Sequence, residues 1–233
     1  MIRITLADLD PFLLQSYPFP SDYPQTLCCS SDNFQLLVSF LGSSEISGFA
    51  ARTVVPTLQY GKSAYHSGPS PALLRTKESR LIALPLLRSA LEQMTLRSYP
   101  FLKLHHDALG APFLSEQRYG CSLSYTRNVT SVVTSTFRSV GLDIESPSIL
   151  AAWTPAEVSS FWKLVSPYID ALPILETLDN PCLLWVSIEA ILKFFRKGFL
   201  LTPAELRFFE CHLSLYLFSV GSNLLGALVL PSD

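Results

Sequence analysis

Apolar residues recur at helical spacing in the stretch between Asn180 and Gly198. Residues three and four positions apart share one face of a helix, and this face carries Leu184, Ile188, Ile191, Leu192 and Phe195. Asn180 is a good N-cap, Pro181 suits the first helical position, and Gly198 suits the residue just past the end. The pattern predicts an amphipathic helix that begins at Pro181 and stops before Gly198.

Three other places carry helix start signals. Ser70-Pro71 predicts a helix whose leucine stripe reaches Met94, and Pro85 is expected to kink or divide it. This helix is the most basic in the chain, with Arg75, Lys77, Arg80 and Arg88. Thr154-Pro155-Ala156-Glu157 and Thr202-Pro203-Ala204-Glu205 each place Thr at the N-cap and Glu where a capping box requires it.

Runs rich in β-branched and other apolar residues predict the strands. They are Phe34–Leu41, Arg52–Leu58, Cys121–Tyr125, Val129–Phe137 and Val140–Ile144. The most apolar tract, Leu213–Leu230, is long enough to raise the question of a membrane helix. Because Gly221-Ser222-Asn223 divides it into two runs of strand length, a buried β-hairpin is the better prediction. Strands and helices without regular βαβ alternation indicate an α+β fold.

Composition narrows the class of protein. In 233 residues, 48% are hydrophobic and 15% are charged, which is typical of a folded chain of one or two domains with a substantial core. The formal net charge of −2 gives no support for general nucleic-acid binding. The five cysteines lack metal-ligand spacing and are expected to be reduced thiols. No signal peptide or membrane segment is predicted, so we expect a cytoplasmic protein.

Two short segments offer chemistry. In the predicted strand Gly141-Leu142-Asp143-Ile144-Glu145, alternation places both carboxylates on the face opposite Leu142 and Ile144. In the predicted helix, Trp185, Glu189 and Lys193 follow at intervals of four. Carboxylate oxygens suit Mg²⁺, and a nearby lysine can neutralise phosphate oxygens. The ordinary alternative is a solvated strand face and a helix salt bridge worth about 0.3–0.5 kcal/mol.

The order of these motifs resembles that of the larger, single-chain (Sfp-like) type of 4′-phosphopantetheinyl transferase. That family moves the phosphopantetheine arm of coenzyme A onto a serine of a carrier protein. Gly141, Asp143 and Glu145 stand at the positions of its Gly-x-Asp-x-Glu motif. Trp185, Glu189, Ala190 and Lys193 match its second motif. Weaker similarities are Leu86-Leu87-Arg88, Gly110-Ala111-Pro112, Ser122-Leu123-Ser124-Tyr125-Thr126 and Arg196-Lys197-Gly198-Phe199, so the resemblance covers about residues 70–200.

The resemblance implies specific roles. Asp143, Glu145 and Glu189 would bind Mg²⁺, with Glu189 also acting, directly or through water, as base toward the acceptor serine. Lys193 would be catalytic and contact the coenzyme A phosphates. The remaining coenzyme contacts would come from Ser124, Tyr125, Arg80 and Arg88.

The resemblance also implies an overall architecture. The fold would be a pseudo-dimer of two similar α+β halves, which we place at residues 1–120 and 121–233. The protein would be a monomeric holo-[acyl-carrier-protein] synthase type of enzyme. Its partners would be coenzyme A and an acyl or peptidyl carrier protein, without a nucleic acid or a membrane.

Four positions depart from the family pattern. Tyr125 replaces a histidine, Ile188 a lysine, Ala111 a basic residue and Leu84 an arginine. Each change removes a donor to phosphate or its surroundings. The predicted Mg²⁺ ligands therefore match the family pattern better than the predicted coenzyme A contacts do. Two alternatives therefore stay open. One is a weakened or inactive homologue that binds coenzyme A or carrier protein, and the other is an unrelated α+β domain.

Overall fold

The computed structural model describes residues 3–8, 15–17, 26–40, 71–126, 129–148, 153–209, 211–220 and 224–232. The strands in this part of the chain are β1 (Arg3–Asp8), β2 (Gln15–Tyr17), β3 (Thr26–Ser30), β4 (Phe34–Phe40), β5 (Leu104–His106), β6 (Pro112–Leu114), β7 (Gly120–Thr126), β8 (Val129–Ser135), β9 (Gly141–Glu145), β10 (His212–Val220) and β11 (Leu224–Pro231). The helices are α1 (Pro71–Thr95), α2 (Pro155–Ala171), α3 (Pro181–Phe194) and α4 (Pro203–Leu206), with 3₁₀ turns at Pro173–Thr177 and Gly198–Leu200. The mixed α+β class is confirmed.

The strands form two main sheets and one separate hairpin. The first sheet has the order β1-β10-β11-β9, in which β1 pairs parallel with β10 and the other pairs are antiparallel. The second sheet has the order β2-β3-β4-β8-β7 and is antiparallel throughout. Among the described strands, β5 and β6 pair only with each other. The N-terminal strand β1 thus lies in the sheet built mainly from the C-terminal part of the chain.

Helix α3 packs on the first sheet, against β9 and β11. The Asn180 side chain accepts hydrogen bonds from the backbone N–H groups of Cys182 and Leu183, so the predicted N-cap is confirmed. Four residues of the predicted stripe are buried, and Phe195 is half-buried. The other side of α3 is covered too, because α2 and the chain after α3 contribute to the same hydrophobic core.

Helix α1 lies on the second sheet, across β4 and β8. Its buried face includes Leu87, Ala90 and Leu91, which pack on Val132 of β8. The helix runs through Pro85 without a break, so the expected division does not occur. Proline has no backbone N–H, so the helix continues through Pro85 with one donor fewer. The predicted N-cap Ser70 lies outside the described residues.

Several local predictions are confirmed. Both Thr-Pro-Ala-Glu segments form capping boxes, at the starts of α2 and α4. The apolar tract near the C-terminus is the β10–β11 hairpin, and no helix in the described part of the chain is both long and apolar enough to cross a membrane. All five cysteines are free thiols. The predicted strand Arg52–Leu58 lies outside the described residues.

The two sheets meet where β7 runs beside β9. The hydroxyls of Ser122 and Ser124 accept hydrogen bonds from the backbone N–H groups of Leu142 and Ile144, both at 3.1 Å. These two N–H groups lie on the edge of β9 that does not pair with β11. Side-chain oxygens therefore replace a backbone ladder and satisfy donors that would otherwise be buried without partners.

Gly141 permits the close approach of α3 to β9. A Cβ atom at this position would lie 1.8 Å from the carbonyl oxygen of Ala190 and 2.8 Å from the backbone nitrogen of Phe194. No rotamer change relieves these contacts because both partners are backbone atoms. The glycine at the start of the strand thus sets the distance between the strand and the helix.

We expect Gly141→Ala to lower the free energy of unfolding by roughly 2–3 kcal/mol, because α3 must move away from the sheet. Urea unfolding followed by circular dichroism measures the change. Gly198→Ala is the matched control. The φ of +51° at this position is strained for alanine, but no atom of the described residues lies within 4 Å of the new Cβ. The expected loss in free energy of unfolding is therefore about 1 kcal/mol. Equal losses in the two variants would show that the contact with α3 is unimportant.

Candidate active site

Asp143 projects from β9 toward the seam with β7. Its neighbours Leu142 and Ile144 are buried in the core on the opposite face, as the alternation predicted. The Asp143 side chain is only 7% exposed. The hydroxyl of Ser124 donates a hydrogen bond of 2.8 Å to Asp143 Oδ1. Since the same hydroxyl accepts from the Ile144 backbone, its orientation is fixed at both ends.

Helix α3 brings a lysine to this carboxylate. Lys193 Nζ lies 2.6 Å from Asp143 Oδ1, 3.2 Å from the carbonyl oxygen of Leu142 and 3.6 Å from Glu189 Oε2. The helix lies close enough because Gly141 has no side chain. Residues of two elements about fifty positions apart thus form one cluster.

Glu145 lies on the same strand as Asp143 and is held by different partners. The Thr126 hydroxyl and the Ser146 backbone N–H, the latter at 2.7 Å, both donate to Glu145 Oε1. The Cys182 thiol lies 3.9 Å from the Glu145 carbonyl oxygen, at the start of α3. The third predicted carboxylate is therefore positioned by β7 and by the following residue.

The cluster is electrostatically coupled. Partial burial, with the Asp143 carboxylate close by, raises the pKa of Glu189 to about 7 against the opposing effect of Lys193. Burial alone would lower the pKa of the Lys193 ammonium, but the Asp143 and Glu189 carboxylates outweigh it, and the pKa is raised. The ammonium is thus the counter-cation of both acids.

The metal-binding capacity of the cluster rests on its donor set. Carboxylate oxygens are the ligands that Mg²⁺ prefers, and Mg²⁺ usually keeps several waters besides one or two carboxylates. Asp143 and Glu189 fit this pattern because their carboxylates lie beside the same cationic group, the Lys193 ammonium. Among the described residues, no three Asp, Glu, His or Cys side chains already converge as a metal centre. The three-carboxylate ligand set stays a prediction.

The predicted coenzyme contacts are spread over two surfaces. Ser124 is buried and faces Asp143, whereas Tyr125 lies on the opposite face of β7 and is 39% exposed. Arg88 is half-buried on α1, and its buried Nε has no hydrogen-bond partner among the described residues. The side chain of Arg80 lies outside the described residues. The coenzyme roles of these four residues stay predictions.

One of the departures from the family pattern has a local structural reason. Ile188, which stands where the family has a lysine, is 1% exposed in the core around α3. A lysine with the same side-chain direction would bury its charge, which is costly. Ala111 lies in the turn before β6, where its N–H donates to Asp107 Oδ1 at 2.9 Å.

Sequence reasoning missed the part played by hydroxyl groups. Ser122, Ser124 and Thr126 alternate along β7 and therefore share the face toward β9. Two of them bond the backbone of β9, and two of them bond its carboxylates. The Ser-x-Ser-x-Thr alternation was visible in the sequence, but the strand it would face was not.

Comparisons with known proteins add no assignment. No model of a known protein family matches the chain, and no curated protein matches its sequence.

We expect Lys193→Met to destabilise the protein by about 2 kcal/mol, because the buried Asp143 carboxylate loses its counter-ion. Asp143→Asn in the same chain should recover part of this loss. A double-mutant cycle by urea unfolding should give a coupling energy of about 1 kcal/mol or more.

The matched control is Lys163→Met on the exposed side of α2, with an expected change below about 0.5 kcal/mol. Additive effects of the Lys193 and Asp143 substitutions would contradict the ion pair.

Proposed function

We propose that this chain is a Mg²⁺-dependent 4′-phosphopantetheinyl transferase that modifies an acyl or peptidyl carrier protein. The observation that carries the proposal is the cluster of Asp143, Glu189 and Lys193, which stand at positions of two motifs of that family. Lys193 Nζ lies 2.6 Å from Asp143 Oδ1 and 3.6 Å from Glu189 Oε2. An ordinary helix salt bridge would not require a buried aspartate from a separate strand.

The reaction assigns one task to each of these side chains. The acceptor serine oxygen forms a bond to the phosphorus that carries the pantetheine arm, and the bond to the 3′-phosphoadenosine phosphate breaks. Mg²⁺, when bound, would neutralise the phosphate charge. Glu189 is the carboxylate that would take up the serine proton, directly or through water. The Lys193 ammonium donates to phosphate oxygens, and Ser124 holds Asp143 in place.

The coenzyme side of the proposal rests on Arg88 and on the resemblance of the sequence. Arg88 offers a buried Nε without a partner among the described residues, which leaves a donor for an acceptor group of a ligand. Tyr125 stands where the family uses an imidazole and is exposed on the face of β7 opposite Ser124.

The proposed pseudo-dimer agrees with the order of elements. A helix on a sheet is followed twice, further along the chain, by a hairpin of that same sheet: α1 by β7–β8, after the separate β5–β6 hairpin, and α3 by β10–β11. This repetition supports two similar halves. The division at residues 120 and 121 stays a prediction, as do the monomeric state and the cytoplasmic location.

We expect the purified protein, incubated with coenzyme A, Mg²⁺ and an apo carrier protein, to add the mass of the phosphopantetheine arm to the carrier. Mass spectrometry of the intact carrier measures it. Glu189→Gln should slow the transfer by about 100-fold or more, because the base is lost. Glu176→Gln, an exposed carboxylate in the 3₁₀ turn after α2, is the control and should leave the rate unchanged.

A second function is favoured by one observation: Ile188, Ala111 and Tyr125 supply fewer cationic donors than the family pattern. A homologue without catalysis would bind the carrier protein or coenzyme A without the transfer step. No mass gain across a panel of carriers, with carrier binding that survives Glu189→Ala and needs no Mg²⁺, would establish this alternative. Absence of transfer, of carrier binding and of coenzyme A binding in a calorimetric titration, with and without Mg²⁺, would exclude both functions.

We also expect Mn²⁺, followed by its paramagnetic resonance, to bind the wild-type protein. Asp143→Asn should weaken binding by removing a ligand, and Ser124→Ala by about tenfold, because its hydroxyl orients Asp143. Lys193→Met should not weaken it, since the ammonium competes with the metal ion for Asp143 Oδ1. A loss with Lys193→Met as large as that with Asp143→Asn would contradict this competition.

A further inference from the structure

A cavity of about 280 Å³ lies between the β5–β6 hairpin, the start of β7 and the chain just after α3. Its volume is near the lower end of the range for small-molecule pockets, about 300–1,000 Å³. Among the described residues, none that lines it belongs to the cluster of Asp143, Glu145, Glu189 and Lys193. Two arginines, Arg138 and Arg196, line the cavity. What the cavity can bind depends on how these two side chains are held.

Arg196 is held in place from three directions. Its backbone has a φ of +59°, a left-handed conformation that is uncommon for a residue other than glycine. Its guanidinium donates to Asp107 Oδ2 at 3.1 Å and lies 5.7 Å from the centre of the Phe113 ring. Asp107 is itself fixed, since its other oxygen accepts from the backbone N–H groups of Leu109 and Ala111. A strained backbone that its surroundings maintain is a reason to look for a function.

Arg138 is placed by the backbone of the turn after β8. The Gly120 N–H donates to the carbonyl oxygen of Phe137 at 2.8 Å. A Cβ atom on Gly120 would lie 2.3 Å from that same oxygen and 2.8 Å from the carbonyl oxygen of Arg138. The missing side chain of Gly120 therefore brings the turn, and Arg138 with it, to the wall of the cavity.

The cavity holds more hydrogen-bond donors than acceptors. An arginine side chain has five N–H donors and no acceptor. Among the described residues, Arg196 uses its side-chain donors for Asp107 alone, and Arg138 makes no side-chain hydrogen bond or ion pair. Among the described residues, Asp107 pairs with Arg196, and the positive charge of Arg138 has no partner. A carboxylate or phosphate group of a ligand would supply acceptors for both guanidinium groups.

The other walls suit the apolar part of a ligand. Phe113 and Tyr119 line the cavity. The Phe113 ring stacks on His105, and Arg118 lies over the Tyr119 ring. Both aromatic residues are only half-buried, so each still offers apolar surface to a ligand. Cys121 also lines it, but burial raises the pKa of its thiol to about 12 despite the opposing effect of Arg196. The thiol stays neutral and unreactive at neutral pH, so the cavity suits reversible binding and not covalent chemistry.

We propose that this cavity binds a small organic anion, in which one carboxylate or phosphate group meets Arg138 and Arg196 and the apolar part of the ligand packs against Phe113 and Tyr119. The inference is independent of the proposed transferase activity, because it uses none of the residues to which that activity is assigned.

Saturation-transfer NMR on the full-length protein tests the proposal with phenyl phosphate and benzoate as probes and benzyl alcohol as the neutral comparison. Both anions are expected to receive saturation, the alcohol much less, and the stronger anion identifies the preferred group. Arg138→Gln should weaken binding by about tenfold, the effect of losing one charge-assisted hydrogen bond. Because Arg138 has no side-chain partner among the described residues, this variant should fold normally.

Two control variants complete the test. Arg207→Gln, an exposed arginine on the chain after α4, should bind the anions as the wild type does. Asp143→Asn should also keep binding, which separates the cavity from the transferase site. Wild-type protein that binds neither anion, or that binds the alcohol equally well, would overturn the proposal, as would Arg138→Gln protein with unchanged affinity.

Discussion

The close contact between α3 and β9 at Gly141 is the constraint on which the rest of the structure depends. It lets two backbones approach to a distance that any side chain would prevent. The helix then crosses the strand so that Lys193 reaches Asp143 and the carbonyl oxygen of Leu142. Without this approach the carboxylates of the strand and the acid and base groups of the helix would be separate surface features.

The second constraint is the seam between the two sheets. The hydroxyls of β7 satisfy the backbone edge of β9 and also hold Asp143 and Glu145. Sheet edges are usually covered or paired with another backbone. Here the same side chains join the sheets and orient the acids, so stability and site geometry depend on one set of hydrogen bonds.

The two ends of the seam differ in charge. At one end, Lys193 lies beside the carboxylates of Asp143 and Glu189, and Glu145 of the same strand adds a third carboxylate. At the other end, Arg196 has Asp107 as its partner and Arg138 has none among the described residues. Acids therefore outnumber bases at the first end, and bases outnumber acids at the second.

The sequence by itself determined the local elements and the identity of the acids. Asn180 with Pro181 and the two Thr-Pro-Ala-Glu segments specify helix starts through short-range hydrogen bonds, and alternation in β9 assigns Leu142 and Asp143 to opposite faces. Only the tertiary structure decided that Ser124 orients Asp143, that β1 joins the C-terminal sheet and that Arg196 meets Asp107. These contacts join residues far apart in the chain, and no local pattern specifies which distant edge a strand will meet.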